Sequence, residues 1–178
     1  RFGERPAGVG PFRSVFALPV DRSAWMVVQV DSLGCDDQGR PGALAFHALF
    51  VSPWSYRRAG ACPLAFEPAF RTDWTAADQH APLPPGRLKP APLGRDPDGP
   101  ADDRADSIAA ALSRNRRVVV QTTEPADALM RAVWRRLPGR ARRRLGAASW
   151  AFGNANGFDF IALPRLGSLV LDGSELVL

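Results

Sequence analysis

The segment Arg131–Phe160 reads RAVWRRLPGRARRRLGAASWAFGNANGFDF, and its pattern decides the fold. Apolar residues recur at helical spacing up to Leu137, where a Pro-Gly pair breaks the helix and a second, shorter helical stretch follows. Two apolar stretches, Ala148–Phe152 and Phe158–Ala162, then flank the sequence GNANG, whose Asn and Gly residues tolerate the backbone of a tight turn. The segment therefore predicts two helices followed by a β-hairpin.

The same segment carries the strongest charge signal of the chain. It holds seven arginines between Arg131 and Arg144 and no acid between Asp127 and Asp159, in a chain of net charge +5. Guanidinium groups stay charged and bind carboxylates and phosphates through paired donors. Three interpretations are open: a solvated helix face partly paired with acids, a surface for an acidic protein, or a surface for nucleic acid. The predicted partner-binding residues are Arg135, Arg136, Arg140, Arg142, Arg143 and Arg144.

The sequence before this segment predicts both strands and helices. Ser14–Val20 and Trp25–Val30 form a predicted antiparallel hairpin, and the almost wholly apolar Ala43–Val51 indicates a central strand covered on both faces, with a buried helix as the alternative. Ser52-Pro53 is typical of a helix start. Further along, Ala101–Asn115 has helical spacing, Val118–Thr122 is a short buried strand, and a second helix opens at Glu124-Pro125. We therefore expect an α+β fold with antiparallel hairpins and a mixed sheet, carrying two to four helices.

A proline-rich stretch divides the chain. Its sequence from His80 to Pro100 is HAPLPPGRLKPAPLGRDPDGP, which cannot hold a regular element. We expect an N-terminal β-rich lobe over residues 1–80, a loop or linker over 81–100 and a C-terminal lobe over 101–178, although the whole chain can also form one domain. A last hairpin is predicted from Leu169–Leu171 and Leu176–Leu178. Because the chain starts at Arg1 and ends in the strand-like ELVL, we expect it to be part of a longer protein.

No catalytic residue is predicted, because the sequence contains no GxSxG, HExxH, Walker A or GxGxxG motif. His47 lies in an apolar run, where a histidine is usually a core residue bonded to backbone. The alternative is an uncharacterised hydrolase in which His47 is the base and Cys35 or Cys62 the nucleophile. The spacing of these three residues and His80 matches no compact zinc pattern, so neither a metal nor a cofactor is expected. Two cysteines and no long apolar run predict a cytoplasmic protein without a membrane segment.

Two stretches resemble a known family. Gly39–Tyr56, GRPGALAFHALFVSPWSY, is similar to the "RPG…HAL" segment of bacterial GTPase-associated proteins, and Trp134–Pro164 is similar to their later segment. In that later segment a helix ends in Leu-Pro, an arginine-rich turn follows, and a strand leads to an "F/Y-D-L" strand. The sequence departs from the pattern at Ala148-Ser149-Trp150, where the family usually has Phe-Ser/Thr-Thr. The resemblance covers about half of the chain.

The resemblance implies a non-enzymatic adaptor encoded beside small GTPase-like proteins, with no catalytic residues to carry over and with Arg40 and His47 as fold-defining positions. Taken with the acid-free basic segment, it predicts a bacterial scaffold domain of otherwise unknown function that takes part in protein–protein interaction. The expected partner is an acidic protein, which a GTPase would satisfy. A nucleic-acid-binding module that uses the Arg131–Arg144 stretch is the alternative.

Overall fold

A computed structural model describes residues 10–36, 38–75, 78, 88–91, 93, 103–166 and 175–178. Seven strands in these ranges form one mixed sheet in the order β3-β2-β1-β5-β6-β4-β7. The strands are β1 (Arg13–Pro19), β2 (Trp25–Cys35), β3 (Pro41–Val51), β4 (Val118–Gln121), β5 (Ala147–Ala148), β6 (Phe160–Leu163) and β7 (Leu176–Val177). Antiparallel and parallel pairs occur together with helices, so the predicted α+β class is confirmed.

The first half of the sheet is an antiparallel meander. β1 pairs with β2 from Pro19↔Trp25 to Arg13↔Asp31, which confirms the predicted first hairpin. β2 pairs with β3 from Trp25↔Val51 onward, and the odd-numbered residues of both strands lie on one face. The prediction that residues 43–51 form a central, fully covered strand is wrong. β3 is the outermost strand of the described sheet, and its face with Phe46 and Phe50 is exposed.

The second half of the sheet is parallel. β4 pairs in parallel with β6 and with β7, and β5 pairs in parallel with β6. The predicted hairpin around GNANG is therefore wrong, because β5 and β6 run in the same direction. The turn itself exists, since the Asn154 side chain accepts a hydrogen bond from the Phe158 N–H and donates one to the Phe158 carbonyl. Of the predicted last hairpin, residues 169–171 lie outside the described residues, and Leu176–Val177 extends the sheet beside β4.

The α-helices agree closely with the sequence pattern, whereas the 3-10 helix was not predicted, because its segment with Pro63 and Pro68 indicates irregular structure. They are α1 (Pro53–Arg58), a 3-10 helix (Pro63–Ala69), α2 (Asp103–Ser113), α3 (Asp127–Arg136) and the single turn α4 (Gly139–Arg142). The helix expected to open at Glu124-Pro125 begins at Asp127 instead. Its buried face includes Trp134, whose indole N–H donates to the Ala61 carbonyl at 2.7 Å. This bond fixes α3 against the chain between α1 and the 3-10 helix.

Strands from both sides of the proline-rich segment share this sheet, because β1 pairs with β5. We call this connection the β1–β5 joint. Ser149, directly after β5, adds two hydrogen bonds to it: the Ser149 hydroxyl accepts from the Val15 N–H at 3.0 Å, and the Ser149 N–H donates to the Val15 carbonyl at 2.9 Å. Most of residues 81–100 lie outside the described residues, and the division there stays a prediction.

Candidate functional site: an arginine and tryptophan surface

Helix α1 owes its position to a cap and an aromatic stack. The Ser52 hydroxyl accepts from the Ser55 N–H at 3.1 Å, and Pro53 occupies the first turn, where its missing N–H costs nothing. Tyr56, which is buried, stacks on Trp25 with ring centroids 4.2 Å apart and on Phe66 at 6.0 Å. With Tyr56 facing the core, Trp54 on the same helix remains 56% exposed.

Arginines surround the exposed Trp54. The Arg58 guanidinium carbon lies 4.8 Å from the Trp54 ring centroid, a cation–π distance. Arg143, the C-cap residue directly after α4, lines the same surface pocket as Arg57. This pocket has a volume of about 350 Å³ and is lined by Trp25, Pro53, Trp54, Tyr56, Arg57 and Arg143. We call Trp54, Arg57, Arg58 and Arg143 the arginine–tryptophan surface.

The described residues that line the pocket include two arginines and no acid. Tyr56 is 1% exposed, and its hydroxyl has no hydrogen-bond partner among the described residues. Burial raises the pKa of Tyr56 well above its ordinary value, and the nearby Cys62 raises it further, so the hydroxyl is a neutral donor at pH 7. The two guanidinium groups beside the exposed Trp54 form an environment that favours carboxylates and other anions.

The structure separates the six predicted arginines into different roles. Arg136 donates to Asp106 at 2.6 Å and to the carbonyl of Ala132, while Arg144 donates to the Asn115 side chain at 2.6 Å. Both side chains are therefore held by groups of this chain. Arg142 is half-buried, and its Nε has no acceptor among the described residues.

The other three predicted arginines, Arg135, Arg140 and Arg143, are exposed. Of the six, Arg143 is the residue that the fold brings to the arginines of α1. Arg57, Arg58 and Trp54 were missed by the sequence interpretation. Their signal was present as WSYRR directly after the Ser-Pro cap, but only the fold shows that this helix meets the arginine-rich turn.

The histidine and cysteine residues do not form a reactive pair in the described part of the chain. His47 accepts a hydrogen bond at Nδ1 from the Arg71 N–H at 3.1 Å, as expected for a histidine bonded to backbone, and its ring contacts Phe70 and Trp74. Burial raises the pKa of the Cys62 thiol to about 11, so this thiol is protonated at pH 7. Cys35 is exposed and pairs with Pro41, six positions along β2 from Gln29, the residue opposite His47, which corresponds to about 20 Å.

A larger cavity of about 610 Å³ lies beside the start of β3, between the end of the β2–β3 hairpin and Trp74. The two carboxylates among its described lining residues are paired within the chain: Asp36 with Arg40 at 2.5 Å, and Asp78 with Arg71 at 2.8 Å. This cavity therefore lacks the unbalanced positive charge of the arginine–tryptophan surface. We prefer the smaller pocket as the candidate site for that reason.

Within the described ranges no group of three or more His, Cys, Asp or Glu side chains is arranged to hold a metal ion. None of the helices in those ranges is long and apolar enough to span a bilayer.

No family model matches this chain, and neither a curated protein nor a solved structure is similar to it. The resemblance to bacterial GTPase-associated proteins thus stays a prediction.

Proposed function

We propose that this chain is a non-enzymatic interaction domain that binds an acidic segment of a partner protein through the arginine–tryptophan surface. The observation that carries the proposal is the meeting of Arg143, from the basic segment, with Arg57 and the exposed Trp54 around one pocket. Arginine and tryptophan are the residue types that most often dominate binding energy at protein interfaces.

The electrostatics of the surface support an acidic partner. No acid is found among the described residues that line the pocket, and neither Arg57 nor Arg143 forms an ion pair with a described residue. Since no residue in the described part of the chain neutralises these guanidinium groups, a carboxylate-bearing segment can pair with them without displacing a described partner. The resemblance described above makes a GTPase-like protein the partner to test first.

The experiment is a pull-down from the native lysate at low and high salt, with and without nuclease. We expect a protein partner that survives nuclease and is lost as salt screens the charges. Reversing both pocket charges, Arg57→Glu with Arg143→Glu, should weaken its binding by roughly 30-fold or more, since each contact of this kind is worth more than about 1 kcal/mol.

A matched control variant distinguishes the effect of the site on binding from the effect of the net charge. Arg22→Glu with Arg114→Glu reverses two exposed arginines elsewhere. Each Arg→Glu substitution lowers the net charge by two, so both double variants have a net charge of +1 instead of +5. Equal loss in both variants would show a nonspecific charge effect and contradict the proposed surface. Recovery of nucleic acid alone, with a steep salt dependence, would favour the nucleic-acid alternative.

A further inference from the structure

The pocket of the arginine–tryptophan surface combines two cations with an apolar wall. Its described lining residues besides the two arginines are all aromatic or proline: Trp25, Pro53, Trp54 and Tyr56. Trp25 and Tyr56 are 5% and 1% exposed and stack on each other, so they form a buried side of the pocket. A ligand that offers only negative charge would pair with the arginines and leave this apolar wall in contact with water.

The pocket is also larger than the acidic group that its arginines attract. Its volume is about 350 Å³. A carboxylate has three heavy atoms, and even at the about 30 Å³ that a water molecule takes in the liquid it would fill only roughly 90 Å³. A carboxylate paired with Arg57 and Arg143 therefore leaves space beside Trp54 and Pro53 for a second, bulky side chain.

Trp54 is held in place for such a contact. The Arg58 guanidinium carbon lies 4.8 Å from the centroid of the Trp54 ring, but Arg58 is not among the described residues that line the pocket. Arg58 therefore stabilises the position of the ring without occupying the pocket. A tryptophan side chain has only two rotatable torsions and loses little conformational entropy when it covers a ligand, and its best apolar partner is another aromatic ring.

The spacing along α1 limits the distance between the two ligand groups. Trp54 and Arg57 are three residues apart on the helix, so their side chains are neighbours with Cβ atoms about 5–6 Å apart. In an extended peptide, adjacent Cα atoms are about 3.8 Å apart, and residues two positions apart share a face at about 7 Å. The ring and the acid that contact Trp54 and Arg57 must therefore lie within two residues of each other.

We propose that the pocket binds a segment of the partner protein in which an aromatic residue lies within two residues of acidic residues. The aromatic ring packs against Trp54 and Pro53, and the acids pair with Arg57 and Arg143. The inference rests on the proposed function and adds to it the class of sequence that the acidic partner presents.

The test is isothermal titration calorimetry of the chain with short synthetic peptides. The first peptide has one phenylalanine between two pairs of glutamates, the second has alanine in place of the phenylalanine, and the third has glutamines in place of the four glutamates. We expect the first peptide to bind most tightly. Loss of the ring should weaken binding at least about ten-fold, and so should loss of the charges, because each removes one of the two contacts.

Variants of the chain assign the ring contact to Trp54. Trp54→Ala should bind the phenylalanine and alanine peptides equally, whereas Trp54→Phe keeps a ring and should keep most of the preference. Phe50→Ala is the matched control, because Phe50 is 65% exposed and is not among the described lining residues. This control should retain the full preference for the phenylalanine peptide.

The outcomes distinguish this inference from the proposed function. Equal binding of the phenylalanine and alanine peptides, lost in the Arg57→Glu, Arg143→Glu variant, would overturn the inference and leave the proposed function in place. Equal binding of the glutamate and glutamine peptides would contradict the proposed function itself. A fourth peptide with leucine that binds as tightly as the phenylalanine peptide would overturn the aromatic class. Failure of every peptide to bind would also overturn the inference, and the pull-down would then test the proposed function separately.

Discussion

Asp106 and Asn115 determine which of the clustered arginines remain available. Both lie on or just after α2, and they hold Arg136 and Arg144 in place. The sequence shows all six arginines as equivalent members of one basic run. The acceptors of Arg136 and Arg144 lie about 30 residues away in the chain. Only tertiary structure therefore distinguishes these two paired side chains from Arg143, which lines the pocket.

His47 illustrates a residue whose role the sequence did indicate. A lone histidine within an apolar strand was expected to bond to backbone, and its Nδ1 accepts from the Arg71 N–H. Burial lowers the pKa of His47 below its ordinary 6.5, while the nearby Asp31 opposes this effect. Protonation at Nδ1 would also remove the acceptor that holds Arg71.

The pH dependence of stability follows from this lowered pKa. As the pH falls through 6.5, the unfolded chain binds a proton at His47 while the folded chain does not, so the free energy of unfolding decreases. The contribution of His47 to the free energy of unfolding is fully present above pH 6.5 and is lost as the pH falls through the lowered pKa of the folded state. We expect His47→Asn, which keeps an oxygen acceptor near Nδ1 but cannot be charged, to lose less stability between pH 7 and pH 5 than the wild type. Urea titrations at both pH values measure the difference, and equal slopes in both proteins would contradict the assignment.

At the level of elements, local signals predicted the helices well and the strand partners poorly. The Ser52-Pro53 start, the acid-rich opening of α2 and the Pro-Gly break before α4 all act within a few residues. Strand pairing, in contrast, depends on residues that are far apart in the chain. The apolar run of β3 contains no signal for whether a neighbour covers it, because exposure depends on what packs there.

The hairpin around GNANG was wrongly predicted for the same reason, namely that a local pattern does not show which strand will be the partner. The turn forms as the Asn and Gly residues predict, but Ala147-Ala148 pairs with Phe16 and Ala17, about 130 residues earlier in the chain. A sequence pattern that spans ten residues cannot include that competing partner. β6 instead pairs in parallel with β5.

The cap of α1 offers a test that links this element to the candidate site. Ser52→Ala removes the acceptor of the Ser55 N–H and should destabilise the protein by about 0.5–2 kcal/mol. Because α1 presents Trp54 and Arg57, partner binding should weaken as well. Denaturant unfolding measures the first effect and the pull-down measures the second. Ser52→Thr keeps the hydroxyl and is the control; a loss as large as that of Ser52→Ala would show that the cap is not the cause.

At the level of the whole molecule, the antiparallel and parallel halves of the sheet are connected by the short β1–β5 joint. β5 has two residues, and Ser149 adds two further hydrogen bonds to Val15 of β1. This joint places the chain after α4 beside the strands that precede α1. The meeting of Arg143 with α1 thus depends on a contact between residues that are far apart in the sequence.

Two buried serines provide a matched test of this joint. Ser149 and Ser14 are both 0% exposed, but the Ser149 hydroxyl accepts from the Val15 N–H, whereas the Ser14 hydroxyl has no partner among the described residues. Ser149→Ala leaves a buried N–H unsatisfied and should cost about 1–3 kcal/mol. Ser14→Ala removes an unsatisfied hydroxyl and should be neutral or stabilising. Urea unfolding of the two variants measures the difference directly, and because the changes in volume are identical, equal losses would mean that packing, and not the Val15 hydrogen bond, holds the two halves of the sheet together.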